Sequence, residues 1–175
     1  MLEWKHQTFV GTQLTQSWRD LWLWESFFNR YPVQTFLELG TGVGGASLFF
    51  SLQCHARGIH FHTFDNQQFF DFTSGIPPFL NMQSAFHHID LFSEDALLLI
   101  STLLTDLPHP VMLFFDNGDK PREWSIFAPL LRHGDYCAVH DWGKEFRKKD
   151  IGKISVEPIE LDVRSYMTRW FKIVP

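Results

Sequence analysis

Between Thr35 and Leu52 the chain reads TFLELGTGVGGASLFFSL, and this stretch constrains the fold more than any other. Phe36-Leu37-Glu38-Leu39 is a short apolar run carrying one acid, glycines follow at Gly40, Gly42, Gly44 and Gly45, and the apolar character resumes from Ala46 to Leu52 with helical spacing. Strand, glycine turn, helix is the simplest reading. A tight turn out of a strand favours residues free of Cβ strain and lets a ligand approach the backbone closely. The helix after the turn presents unpaired N–H groups to whatever sits there. The pattern predicts a nucleotide-type cofactor; a glycine turn of purely structural use is the plain alternative.

Spacing alone leaves two patterns open. Gly40, Gly42 and Gly45 fit G-x-G-x-x-G, and Gly40, Gly42 and Gly44 fit G-x-G-x-G. Glu38 separates them. A carboxylate two places before the first glycine repels a dinucleotide pyrophosphate and attracts an ammonium or a sulfonium. S-adenosylmethionine carries both. Glu38-Leu-Gly40-Thr-Gly42-Val-Gly44 resembles motif I of the class I S-adenosylmethionine-dependent methyltransferases, and the resemblance extends over roughly Gly11 to Trp142. It implies that Glu38, Gly40, Thr41, Gly42 and Gly44 contact the cofactor.

The rest of the chain alternates. Gln16 to Tyr31 reads as a helix with an apolar stripe through Trp18, Leu21, Trp22, Glu25 and Phe28, ended by Pro32. Gly58–Asp65 and Ala85–Asp90 read as strands, and Asn66 to Asn81 as a loop or weak helix broken at Pro77-Pro78. Ser93 to Leu107 reads as a helix capped by Ser93, with Leu97, Ile100 and Leu104 on one face. Val111–Phe115 is a continuous apolar run, as a strand buried on both faces requires. Arg122 to Arg132 reads as a helix and Tyr136–His140 as the fifth strand. Lys153–Leu161 and Met167–Val174 read as two strands with no helix between them. The expected fold is α/β: a Rossmann-like, doubly wound, mostly parallel sheet with an antiparallel edge at the C-terminus and helices on both faces. Residues 1–175 are expected to form a single domain, with 1–33 as an N-terminal helical extension.

Composition narrows the partners. A hydrophobic fraction of 45% and a charged fraction of 20% describe a globular chain, and a net charge of -5 argues against a nucleic-acid surface. No apolar run has the length of a membrane span, and MLEWKHQTFVGTQ is unlike a signal peptide. Cys54 and Cys137 sit in apolar contexts without metal-type spacing, as buried thiols of a reducing compartment do. A cytoplasmic protein is expected. The 19 Phe and 7 Trp carry enough aromatic area to fill a core, with some expected to line a pocket or a subunit contact.

Glu38, Asp65, Asp90, Asp116 and Asp141 each close a predicted strand, and ligands of open α/β sheets bind at the carboxyl ends of the strands. Asp65, about 20 residues past the glycines, is placed to accept both ribose hydroxyls, with Asn66 beside it. In the methyltransferase resemblance, Asp90 and Leu91 occupy the adenine position. Phe115-Asp116-Asn117-Gly118-Asp119-Lys120 and the segment His140-Asp141-Trp142 resemble the metal-dependent small-molecule O-methyltransferases of the catechol and caffeoyl-CoA type, and the cephalosporin-hydroxylase-like branch. That resemblance implies Asp116, His140 and Asp141 as catalytic residues and as ligands of a divalent cation, Mg or Mn, with Asp116 also near the cofactor. Trp142 stands where the catechol type has an Asn ligand; either His140 takes over that role or no metal binds and His140 acts as general base. The activity implied is S-adenosylmethionine-dependent methyl transfer to a small-molecule acceptor, at oxygen. The alternatives are a non-catalytic domain binding S-adenosylmethionine or a partner protein, and an NAD-dependent oxidoreductase, which Glu38 opposes. Little chain remains to cap a pocket, so a homodimer or the N-terminal helix is the expected cover.

Overall fold

The computed structural model describes residues 7–68, 82–163, 165 and 167–175. Their elements are β1 (Thr8–Phe9), β2 (Thr12–Gln13), α1 (Trp18–Arg30), β3 (Thr35–Leu39), α2 (Gly45–Arg57), β4 (His60–Asp65), α3 (Met82–Ala85), β5 (Phe86–His88), α4 (Glu94–Asp106), β6 (Val111–Phe115), α5 (Lys120–Phe127), β7 (Tyr136–Val139), β8 (Val156–Ile159) and β9 (Arg169–Ile173). Most of the loop read at Asn66–Asn81 lies outside the described residues. No helix among the described residues is long and apolar enough to cross a membrane.

One sheet runs β5-β4-β3-β6-β7-β9-β8. The strands β3 to β7 pair in parallel, while β9 runs antiparallel to both β7 and β8. The expected Rossmann-like sheet with an antiparallel C-terminal edge is therefore the one that forms. The reversed strand is the inner one of the closing pair: β9 inserts between β7 and β8. The order changes direction at β3 and β6, which places a crevice above their carboxyl ends.

The alternation of side chains along the strands explains why both faces carry helices. Leu37, Leu39, Leu113, Phe115, Cys137 and Val139 point to one face and pack with Ile100 and Leu104 of α4 and Trp124 and Phe127 of α5. Phe36, Met112, Phe114, Tyr136 and Ala138 point to the other, against α1 and α2. Trp24 is the hub there. Its ring meets Phe36, Phe50, Phe114 and Trp170 at centroid distances of 4.9–5.4 Å.

Helix α1 lies rotated from its expected face. Leu21 and Phe28 are buried as the stripe required, but Trp18 is 53% and Trp22 49% exposed, and Leu23, Trp24 and Phe27 fill the core instead. Apolar residues occupy both sides of this helix, so periodicity could not choose between them. Buried Asp20 helps to fix the choice, because its carboxylate turns inward to Ser17 and Ser165. Similarly, Ser93 caps α4 as expected, but Ala96, not Leu97, joins Ile100 and Leu104 on the buried face. Helix α5 starts at Lys120, two residues earlier than Arg122, because the Asp119 carboxylate accepts the Arg122 N–H and caps it. The N-terminal segment is not purely helical. A β1–β2 hairpin precedes α1, turning at Val10 and Gly11 with φ of 49° and 82°. It lacks the Asn-Gly or Asp-Gly signal that announces such turns in a sequence.

Candidate active site

A cavity of about 510 Å³ opens above the carboxyl ends of β3, β4, β6 and β7. The glycine turn forms one wall. Gly40 has φ +108°, and a Cβ there would lie 2.7 Å from the Asp116 carbonyl oxygen and 2.8 Å from the Asn117 nitrogen. Glycine is thus required because the two strand-end loops touch backbone to backbone. Gly42 donates its N–H to Asp65 Oδ2 at 2.8 Å, and Gln67 N–H reaches Asp65 Oδ1 at 2.9 Å. These bonds hold the Asp65 carboxylate at the cavity wall. Gly44, with φ +88°, caps the start of α2.

Glu38 does not reach this wall. It is buried in β3, where Oε2 accepts from Ser47 Oγ and, at 2.7 Å, from Thr63 Oγ1, while Oε1 has no partner among the described residues. Burial pushes its carboxyl up to about 8, against the opposing effect of the two hydroxyls. The Thr41 and Thr63 hydroxyls lie 2.6 Å apart, so a hydroxyl chain runs from the cavity wall at Thr41 to Glu38. Nor do Asn66, Asp90 and Leu91 line the cavity. Asp90 is exposed and builds the turn into α4, accepting from Phe92 N–H at 3.0 Å, and Leu91 belongs to the core. Of the strand-closing acids, Asp65, Asp116 and Asp141 converge on the cavity.

Opposite the glycine turn stand Asp116, His140 and Asp141. Each offers a ligand atom, and all three atoms lie within 4.8 Å of one another. Two carboxylates and an imidazole this close suit a single divalent cation. The His140 Nδ1 is 3.0 Å from Asp116 Oδ1 and 3.4 Å from Asp141 Oδ2. Burial opposes charge on the ring, but the Asp116 charge and hydrogen bonds to both acids prevail and raise His140 to about 10. With no cation beside it, the ring is therefore held in its imidazolium form by the two acids. The hydrogen bond from His140 holds Asp141 down at about 2. Asp141 itself adopts a left-handed conformation, φ 53°, a form Asp tolerates. Trp142 turns away from the cavity and packs on Phe146 and Phe171 at 5.8 and 5.6 Å.

Several further residues of the site carry no role in the sequence reading. Lys120, the last residue of the Phe115–Lys120 segment, is 2% exposed. Its Nζ lies 2.7 Å from Glu145, 3.4 Å from Asp141 and 3.9 Å from Asp116. Burial opposes its charge, yet Asp116, Glu145 and Asp141 raise its pKa above the ordinary value. Thr15, Gln16, Ser17 and Asp20 line the cavity from the N-terminal side and Met167 from the C-terminal loop.

No protein-family model matches the chain. Rhamnosyl O-methyltransferase of Mycobacterium tuberculosis and of Mycobacterium bovis is 23% identical over 148 residues, covering 80% of this chain and 58% of the relative. The chain thus spans less than two thirds of the curated relatives it matches. Among solved structures, an inferred caffeoyl-CoA O-methyltransferase from Staphylococcus aureus aligns with a TM-score of 0.58 at 16% identity, over 92% of this chain and 86% of that one. CmcI named with SAH aligns at 0.56 and 17% identity, over 81% and 69%. CmcI named with Mg-SAM aligns at 0.57 and 18% identity, over 78% and 58%. The fold is that of these methyltransferase-like neighbours, in keeping with the resemblance carried by Glu38–Gly44 and by the segments at Asp116 and Asp141.

Proposed function

We propose that the chain is an S-adenosylmethionine-dependent methyltransferase acting on a hydroxyl of a small-molecule acceptor, assisted by a divalent cation. One observation carries the reading: a single cavity joins the glycine turn and Asp65 to the cluster of Asp116, His140 and Asp141. The cofactor supplies an electrophilic methyl; transfer breaks its carbon–sulfur bond, forms a carbon–oxygen bond and releases the hydroxyl proton. Asp65, already fixed by Gly42 and Gln67, keeps free lone pairs for the ribose hydroxyls. Gly40 and Gly42 let the ligand approach the backbone. A cation held by Asp116, His140 and Asp141 would lower the pKa of an acceptor hydroxyl and orient it. His140 must give up its proton to serve as a ligand, so cation and proton compete for it. The metal-assisted route is favoured over a metal-free one because Asp116, His140 and Asp141 offer three ligand atoms within 4.8 Å of one another. Lys120 stays cationic and offsets the crowded carboxylates. The likeness to a rhamnosyl O-methyltransferase, together with Thr15, Ser17 and Asp20 in the wall, favours a polar, sugar-like acceptor.

The same reading takes the chain as one domain in a reducing, cytoplasmic setting, where the buried free thiols Cys54 and Cys137 persist. A homodimer fits the exposed Trp18 and Trp22 of α1 and is checked by light scattering. The function is tested by incubating the protein with S-adenosylmethionine, Mg²⁺ or Mn²⁺ and a panel of hydroxylated acceptors, reading S-adenosylhomocysteine formed. Turnover should depend on the cation and disappear in Asp116→Asn and Asp141→Asn while both variants stay folded. Turnover that survives both changes refutes the site.

A further inference from the structure

Gln16 is 2% exposed, and its side-chain amide meets the Asp116 carboxylate across the cavity. A carboxylate only accepts, so Nε2 donates, and it donates to Oδ2. The other oxygen, Oδ1, faces His140 Nδ1 at 3.0 Å and Lys120 Nζ at 3.9 Å. The two oxygens of Asp116 therefore have separate tasks. From this geometry we infer that Gln16 is a positioning residue for the cation site: it engages Oδ2 and leaves Oδ1 as the oxygen offered to a divalent cation. The inference rests on the metal-assisted reading above.

The amide is held before any ligand arrives. Gln16 immediately precedes Ser17, the cap of α1, whose hydroxyl accepts the Asp20 N–H at 3.0 Å and donates to Asp20 Oδ2 at 2.8 Å. Asp20 Oδ1 accepts from Ser165 Oγ, which in turn accepts the N–H groups of Met167 at 3.0 Å and Thr168 at 2.8 Å. The Met167 carbonyl takes the Trp142 N–H at 2.8 Å, next to Asp141. On the other side the Gln13 carbonyl rests on Gly45, where a Cβ would come within 2.1 Å. The segment from Gln13 to Asp20 is thus pinned to α2, to the C-terminal loop and, through Gln16, to Asp116. A donor on so rigid a support restrains the carboxylate at little entropic cost. Without it Asp116 is free to turn both oxygens toward His140 and Lys120. That tightens the metal-free arrangement and weakens the hold on a cation.

The test uses the full chain and Mn²⁺ alone as probe, followed by its paramagnetic resonance signal, with S-adenosylhomocysteine affinity measured by calorimetry and folding by thermal melting. Gln16→Met keeps the volume and removes the donor; Gln16→Asn keeps an amide that falls one methylene short. Both should weaken Mn²⁺ binding about 10–100-fold and leave S-adenosylhomocysteine affinity within about twofold. Should Gln16→Met not fold, Gln16→Asn gives the same reading. A folded variant that binds Mn²⁺ as the parent does overturns the role of Gln16 and leaves the metal reading standing. Parallel loss of both affinities and of melting temperature in both variants also overturns it, in favour of a purely structural residue. A parent chain that binds S-adenosylhomocysteine but not Mn²⁺ overturns the metal reading and this inference with it.

Discussion

Replacing Gly40 by Ala probes the junction on which the cavity depends. At φ +108° a side chain is strained whatever its surroundings; such backbone outliers cost about 1–3 kcal/mol. The new Cβ would also lie 2.7–2.8 Å from backbone atoms of Asp116 and Asn117, which cannot swing aside as a side chain would. Overpacking of this kind costs about 1–3 kcal/mol. The sum is about 2–6 kcal/mol, or a fall in melting temperature of roughly 4–24 °C for a chain of this size. Gly42 is the control. Its φ is +53° and nothing lies within 4 Å of a Cβ there, so Gly42→Ala carries only the left-handed penalty of about 1–2 kcal/mol. Both variants gain the same restriction of the unfolded chain, about 0.4–1 kcal/mol, which cancels between them. Circular-dichroism melting of the two variants side by side is the assay. Gly40→Ala should melt several degrees below Gly42→Ala. Equal melting temperatures would show that the β3 and β6 loops are not in contact as described.

Other outcomes are expected of single changes. Asp65→Ala should weaken S-adenosylhomocysteine binding by about 10–150-fold, the worth of one charged hydrogen bond, as read by calorimetry; unchanged affinity would remove Asp65 from the ribose site. Glu38, raised to about 8, binds its proton more tightly folded than unfolded, so its contribution to stability is full below pH 4.5 and is lost progressively as pH rises from there through 8. Glu38→Gln should therefore gain on the parent chain in denaturant unfolding as pH goes from 6 to 9, and a difference constant with pH would contradict the buried, protonated carboxyl. Trp24→Ala removes the aromatic hub under α1 and should cost about 3–5 kcal/mol, measured by the same unfolding; a loss below 1 kcal/mol would mean that α1 does not pack as described.

The sheet could be read from the sequence because its signals are local. Val111–Phe115 is apolar throughout since both of its faces are covered, and the glycines at Gly40 and Gly42 mark a turn that any close ligand or loop contact requires. Asp65, Asp116 and Asp141 could be read because a parallel strand delivers its last residues to one rim. What escaped depends on tertiary closure. Gln16 and Met167 belong to no motif and reach the cavity only when α1 and the loop before β9 fold over it. Lys120 looks like any helix-start lysine until Asp116, Asp141 and Glu145 surround it. The charge of Glu38 and its place in the glycine motif are legible in the sequence, but its contacts with Thr63 and Ser47 depend on how β4 and α2 pack on β3. The pleat is visible in the sequence, but which face is covered by which helix is not.

Calorimetric titration of the purified protein with S-adenosylhomocysteine, and in parallel with NAD⁺, decides between the cofactors that a glycine turn of this kind can serve. The account predicts saturable binding of S-adenosylhomocysteine, lost in Asp65→Ala, and no heat with NAD⁺. Binding of NAD⁺ with none of S-adenosylhomocysteine would contradict it and return the cavity to a dinucleotide.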